Sequence, residues 1–282
     1  MNIINDPQEL QQQSLTWRRD GLRIGLVPTM GYLHDGHQAL MRHARTLCDR
    51  LVVSIFLNPT QFGPGEDLDK YPHDPEGDKA KALGCGTDLL FMPDPAAMYA
   101  PDHATWIDVP DLGRHLCGAR RPGHFRGVCT VVTKLFMLAQ PEVAVFGRKD
   151  WQQLAILKRL VRDLNIPVDL VGHDIVREAD GLALSSRNAY LTREERAAAP
   201  AIRQGLVKLA EMVQKGERDP EVARKFLRDE YAATLPMGTV DYIELVDPDD
   251  ITPVAAVTGP VLAAVAVGMG KARLIDNILI EV

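Results

Sequence analysis

Short apolar runs alternate with longer stretches of helical periodicity through the first two thirds of this chain, and that alternation restricts the fold more than any other feature. Strands are predicted at Ile24–Val27, Leu51–Leu57, Asp88–Met92, Val143–Phe146 and Val168–Val171. Helices are predicted at Gln38–Arg50, Pro75–Leu83, Gly127–Ala139 and Trp151–Leu164. Strands each followed by a helix close as a parallel sheet with helices on its faces. The expected fold class is α/β, a Rossmann-like doubly wound parallel sheet. After Asp180-Gly181 the pattern changes. Two helices, Arg193–Lys215 and Pro220–Leu235, precede strands near Val240–Val246, Val261–Val267 and Ala272–Ile280. That order predicts a smaller α+β unit, with residues 1–175 and 176–282 as the two parts and the boundary near Val176.

Composition excludes several classes of partner. The 282 residues are 46% hydrophobic, enough to bury a sizeable core. A net charge of -6, with 32 basic and 38 acidic residues spread along the chain, gives no polyanion-binding stripe, so nucleic acid is not expected. Met1 to Gln13 is polar and acidic, unlike a secretory signal, and the longest apolar stretch, Val261 to Met269, is too short to span a bilayer. A cytoplasmic protein without a membrane partner is expected. Cys48, Cys85, Cys117 and Cys129 are widely spaced and include no CxxC pair, which argues for reduced thiols.

In doubly wound sheets, ligands bind beyond the carboxyl ends of the strands. Three such ends carry polar residues: Pro28 to His37, Asn58 to Phe62, and Gly147-Arg148-Lys149-Asp150. At the first, His34 and His37 stand three residues apart at a strand-to-helix junction with Gly31 and Gly36. Unpaired amides at a helix start and close backbone approach at glycine suit phosphate, which makes ATP the first ligand to consider. An isolated pair of this kind is more often two loop histidines. Neither GxGxxG nor GxxxxGK[ST] occurs, so the site is not a dinucleotide fingerprint or a P-loop.

Five segments change those odds: PTMGYLHDGH at 28–37, SIFLNPTQFGPGEDLDKYP at 54–72, GHFRGVCTVVTKLF at 123–136, FGRKDWQQL at 146–154 and VREADGLALSSRNAYL at 176–191. In this order they resemble the pantothenate synthetase family, whose HxGH element is shared with a wider group of nucleotidyl-transferring folds. The resemblance implies ligation of (R)-pantoate and β-alanine with ATP as co-substrate. A pantoyl adenylate forms with release of pyrophosphate, and the amine then displaces AMP.

The same resemblance implies site residues. Met30, Gly31, Tyr32, Leu33, His34, Asp35, Gly36 and His37 form the ATP turn, with His37 as proton donor and His34 as phosphate partner. Gly147, Arg148, Lys149 and Asp150 also meet ATP, with Lys149 bridging phosphate oxygens as charge builds. Val176 contacts adenine through its backbone, and Leu184, Ser185, Ser186 and Arg187 hold the triphosphate from the opposite side. Gln61 meets pantoate and β-alanine, and Gln153 meets pantoate, neutral amides that leave a carboxylate free to attack. From the residues alone, Asp150 and Gln153 also fit a capping box, and Ser185 to Asn188 a turn.

Mg²⁺ is expected with ATP, held by phosphate oxygens and water, so no protein metal ligand is named. A homodimer is implied. Tyr32, Thr60, His73, Arg148 and Leu184 depart from the family pattern, and Arg148 reverses a charge beside the phosphate site. The alternatives are a nucleotidyltransferase that stops at adenylate transfer and a nucleotide-sensing module without turnover.

Overall fold

The computed structural model describes every residue from Met1 to Val282. The elements run β1 (Asn2–Ile4), α1 (Pro7–Arg19), β2 (Ile24–Thr29), α2 (Asp35–Arg45), β3 (Arg50–Ile55), α3 (Pro75–Gly84), β4 (Leu89–Phe91) and α4 (Pro95–Met98). Next come α5 (Leu116–Arg120), α6 (His124–Ala139), β5 (Val143–Gly147), α7 (Trp151–Asp163) and β6 (Asp169–His173). The last third holds α8 (Arg193–Ala198), α9 (Ala201–Gln214), α10 (Pro220–Thr234), β7 (Gly238–Val246), β8 (Val261–Met269) and β9 (Ala272–Ile280).

Six strands form one sheet in the order β1-β4-β3-β2-β5-β6, and every pair is parallel. The α/β doubly wound expectation therefore holds. Both faces are buried, as parallel sheets require. Ile24, Leu26, Val52, Ala144 and Phe146 face one core with α6 and α7, while Val27, Leu51, Val53, Val143 and Val145 face another with Met41 and Ala44 of α2. This is the period-two alternation of a strand seen from its two sides. β1 and α1 lay outside the sequence reading because a three-residue edge strand has no periodicity and α1 buries only Leu10 and Ser14.

The C-terminal strands make a separate antiparallel sheet, β7-β8-β9. Its central strand is sandwiched. Val261, Ala263, Val265, Val267 and Met269 pack with α9 and α10, whereas Leu262 and Ala264 join the core under α6 and α7. The helix predicted over 193–215 is broken, since α8 ends at Ala198 and Pro200 caps α9 instead of continuing the helix. Where α9 meets α10, a Cβ on Gly205 would lie 2.5 Å from the Tyr231 ring and 2.8 Å from Leu227. Overpacking of this kind costs about 1–3 kcal/mol, and alanine recovers about 1 kcal/mol as a better helix former. Gly205→Ala is thus expected to lower the melting temperature by a few degrees in calorimetry. A rise would show that the helices can part there.

Candidate active site

Strand order reverses between β2 and β5, because β2 leads to β3 on one side and β5 to β6 on the other. Side chains beyond the carboxyl ends of these two strands cannot be covered by either crossover, so a crevice opens there. It holds a cavity of about 240 Å³, lined from β2 by Met30, His34 and His37, and from β5 by Gly147, Lys149 and Asp150. Gln61 and Gln153 form further wall, and Val176 and Leu184 to Arg187 line it as well. A second cavity of about 520 Å³ abuts the first. Arg121, His124, Lys149, Gln153 and Arg187 line both.

The turn after β2 is fixed from outside the motif. Gly31 and Tyr32 both adopt the left-handed region, φ 86° and 51°. Tyrosine does so at a steric cost that its surroundings must offset. The buried Asp78 carboxylate of α3 accepts the Tyr32 N–H at 2.8 Å and the Leu33 N–H at 2.6 Å, which locks both residues. These two amides of the turn are therefore engaged within the protein. Gly31, Tyr32, Leu33 and Asp35 do not line the cavity, and Asp35 instead accepts from the Gln38 side chain at 2.9 Å.

His34 and His37 close the start of α2 with a reciprocal cap. Nδ1 of His34 accepts the Gly36 N–H at 3.1 Å, and Nδ1 of His37 accepts the His34 N–H at 3.3 Å. A Cβ on Gly36 would meet the His34 ring at 2.8 Å, so only glycine admits this geometry. Both rings are neutral, and their single proton sits on Nε2 because Nδ1 is an acceptor. Burial, reinforced by the Lys149 ammonium, lowers the His34 pKa from 6.5 to about 4. Burial, the His34 ring and Lys149 hold His37 well below 6.5. The two rings lie 4.0 Å apart between centroids.

Neutral imidazoles tie stability to pH. Burial and the Arg121 charge bring His124 to about 4 as well. Each of these groups binds a proton more readily when the chain is unfolded. Their contribution is intact above pH 6.5 and is lost as pH falls toward about 4. The melting temperature is expected to drop already between pH 6.5 and about 5, above the range in which carboxylates titrate. A flat profile over that interval would contradict the neutral-ring assignment.

At the end of β5 the short turn Arg148–Asp150 carries the cation. The buried Asn277 side chain of β9 donates to the carbonyls of Arg148 and Lys149 at 3.0 and 2.9 Å, anchoring the turn to the C-terminal sheet. Arg148 does not itself line the cavity, but it pairs at 2.6 Å with Asp174, an exposed residue of the cavity wall. Its charge reversal is thereby met by a carboxylate at the edge of the site. Asp150 is the N-cap residue of α7, but its side chain makes no capping bond, so the capping-box alternative fails and Gln153 is left to face the cavity.

Gln61 sits in a short 3₁₀ turn, Pro59–Gln61. Asn58, 1% exposed, donates to the Gln61 Oε1 and to the Gly127 carbonyl, both at 3.2 Å, and accepts from Tyr99 at 3.0 Å. Thr60 takes part in that same network, donating its hydroxyl to Asn58 at 2.9 Å. The Gln61 Nε2 lies 2.8 Å from the Met30 sulfur.

Two arginines face the cavities, and consecutive carboxylates of one loop hold them. Arg121 donates to Glu66 through Nε at 2.9 Å and Nη2 at 2.5 Å, and Arg187 donates to Asp67 at 3.1 and 2.9 Å. Burial alone would raise both carboxyls, but the Arg121 and Arg187 contacts outweigh it and keep Glu66 and Asp67 below their ordinary values. His124 joins Arg121 at 3.0 Å and the Gln61 carbonyl at 2.8 Å. The Ser185 hydroxyl accepts the Arg187 N–H at 3.3 Å, so that segment is also a turn, and Ser186 donates to the Tyr32 carbonyl at 3.3 Å across the crevice. Arg177, paired with buried Asp276 at 2.7 and 2.9 Å, ties the connection between β6 and Ser185 onto β9.

Asp78, Asn58, Arg121, Glu66 and Asn277 were absent from the sequence-based site. Of these, Asn58 and Glu66 lie inside a quoted motif, and the proximity of Asn58 to Gln61 is the only local signal. The others act through contacts that only the fold creates.

The whole chain can now be set beside known proteins. A family model described as pantoate-beta-alanine ligase matches residues 2–279. Pantothenate synthetase of Maridesulfovibrio salexigens is 58% identical over 282 residues, covering 100% of both chains. That of Heliobacterium modesticaldum is 50% identical over the same span, again covering 100% of both. The crystal structure of pantothenate synthetase from Thermus thermophilus superposes with a TM-score of 0.91 at 43% identity, covering 99% of each chain. A pantoate-beta-alanine ligase from Francisella tularensis, solved with beta-gamma ATP and beta-alanine, reaches 0.79 at 30% identity, covering 99% of this chain and 97% of that one. With its switch-point crevice, its paired histidines and this likeness from end to end, the chain belongs to the pantoate–β-alanine ligase family.

Proposed function

We propose that this ligase joins (R)-pantoate to β-alanine in two steps at the crevice between β2 and β5, with ATP as co-substrate. The observation that carries the reading is the gathering of neutral His34 and His37, the Lys149 ammonium and the Gln61 and Gln153 carboxamides around one cavity. A pantoate carboxylate oxygen attacks the α-phosphorus of ATP, the bond to the β-phosphate oxygen breaks, and pyrophosphate leaves. The amine of β-alanine then attacks the acyl carbon, loses a proton, and AMP departs with the former carboxylate oxygen.

Charge stabilisation and positioning do this work, since no nucleophile dyad is present. The Nε2–H groups of His34 and His37 donate to phosphate oxygens. Their neutrality makes them hydrogen-bond donors, with a proton available from His37 only after the arriving phosphates raise its pKa. Lys149 follows the negative charge that moves toward pyrophosphate. Gln61 and Gln153 bond the pantoate hydroxyls and carboxylate without the tight pairing a guanidinium would impose, so the nucleophile keeps its lone pairs. Ser185, Ser186 and Arg187 complete the triphosphate site, and the Val176 backbone meets adenine.

Mg²⁺ belongs to the same reading. No cluster of three or more His, Cys, Asp or Glu side chains could hold a metal, which suits a cation carried on the phosphates. Asp150, a cavity carboxylate whose side chain makes no capping bond, is the protein group that would meet it. When bound, the cation neutralises phosphate charge. The proposal also includes a cytoplasmic homodimer and a division of the chain near residue 176, the second supported by a core cluster that joins α9 and α10 to one face of the C-terminal sheet.

The test is to incubate the protein with ATP, Mg²⁺ and pantoate, with and without β-alanine, and to follow pyrophosphate and AMP separately. Pyrophosphate is expected with pantoate alone, and AMP only once the amine is added. A dinucleotide-like product in place of AMP, or no pyrophosphate at all, would overturn the reading.

A further inference from the structure

Arg121 lines both cavities, and its side chain is 17% exposed. Its guanidinium holds the Glu66 carboxylate through two nitrogens, which is the fork geometry that arginine offers to carboxylates. The ligand chemistry of this position is thus displayed by the chain's own loop. Arg121 is also coupled to Gln61, donating to its carbonyl at 3.4 Å while His124 holds the same carbonyl at 2.8 Å.

The reaction, on the reading proposed above, brings two carboxylates to this crevice. That of pantoate is the nucleophile, and a bidentate guanidinium would occupy the lone pairs it needs. The carboxylate of β-alanine takes no part in bond making and needs an anchor. It lies roughly 4–5 Å from the attacking nitrogen along an extended three-carbon chain, by standard bond lengths, so the anchor must stand near the acyl carbon and therefore near Gln61. Among the lysines and arginines lining the 520 Å³ cavity, which also include Lys149, Arg187, Arg120, Arg273 and Lys271, Arg121 is the one that bonds Gln61. We propose that Arg121 is the specificity residue for the carboxylate of the amine substrate, which it takes from the 520 Å³ cavity in exchange for Glu66. Glu66 is a place-holder that keeps the guanidinium extended and turned toward that cavity.

The experiment compares the unsubstituted protein with Arg121→Gln, Arg121→Lys and Glu66→Gln, using β-alanine and its uncharged analogue β-alaninamide as amines. Arg121→Gln is expected to raise the β-alanine KM about 100-fold, the scale of losing a bidentate charge pair. Its preference for β-alanine over β-alaninamide should collapse, while pantoate-dependent pyrophosphate release changes by less than about threefold. Arg121→Lys, which keeps the charge but not the fork, should fall between. Glu66→Gln should lower the β-alanine KM about threefold by removing a competitor. Unchanged discrimination in Arg121→Gln with pyrophosphate release intact overturns the inference, as does equal loss of both half-reactions. An unsubstituted protein that releases no pyrophosphate would instead sink the functional reading on which this rests.

Discussion

Lys149→Ala is expected to slow pantoate-dependent pyrophosphate release by about 10³, while the KM for pantoate stays within about threefold. The ammonium lies close enough to His34 and His37 to help keep both neutral. Arg148 is bound to Asp174, and Arg187, held by Asp67, approaches from the opposite wall, so Lys149 is the cation on the β5 side that meets charge moving toward pyrophosphate. Removing a preorganised donor of this kind costs about 10²–10³ in rate, and a full charge sits at the upper end of that range. The fold should survive, because Asn277 holds the turn through the main-chain carbonyls of Arg148 and Lys149. Rapid-quench measurement of pyrophosphate under saturating ATP checks the result, and release at the parental rate would remove Lys149 from the chemistry. Without the ammonium, the His37 pKa should also rise, which a pH profile of the residual activity would show.

The second large effect belongs to a residue that carries no side chain. A Cβ on Gly127 would lie 2.4 Å from the Thr60 carbonyl oxygen, 2.6 Å from its carbon and 2.7 Å from the Gln61 nitrogen. All three are backbone atoms, so no rotamer change relieves the clash. Either α6 moves away or the Asn58–Gln61 turn shifts, and the Asn58 bond to the Gly127 carbonyl at 3.2 Å is stretched in both cases. Gly127→Ala should therefore destabilise the protein by about 1–3 kcal/mol, beyond the roughly 1 kcal/mol alanine gains in a helix. A displacement of about 1 Å in a positioning group can cost 10²-fold in rate. The expected phenotype is a pantoate kcat/KM lowered about 100-fold together with a lower melting temperature. A variant as active and as stable as its parent would mean that Gln61 tolerates displacement.

Legibility in the sequence followed the range of the interactions. The strand-helix alternation is a local property, and five of the six sheet strands and the three C-terminal strands lie where periodicity puts them. The histidine pair, Lys149, Gln153 and the Ser-Ser-Arg segment meet at one cavity because each follows a strand end or a turn that the topology aims at the same crevice. What could not be read is the support. Asp78 reaches the turn from 45 and 46 residues away, Arg121 meets Glu66 across 55, and Asn277 meets Arg148 across 129. No periodicity encodes such pairs. Local patterns also misled: helical periodicity runs through Pro200, where the helix breaks, and the spacing of Asp150 and Gln153 suits a capping box, but with backbone angles of -94° and 57° the Asp150 side chain makes no capping bond. Four amides of the expected ATP turn are likewise bonded internally, those of Tyr32 and Leu33 to Asp78 and those of His34 and Gly36 to the histidine rings.

Strand β8 has a consequence for how the molecule comes apart. Odd-numbered residues from Val261 to Met269 sit in one core, and Leu262 and Ala264 in the other, so a single ribbon is the common wall of both. A slip of one residue would turn each side chain to the wrong room at once. Neither half can melt without stripping the lining from its neighbour, and the chain has no dispensable end to its last sheet.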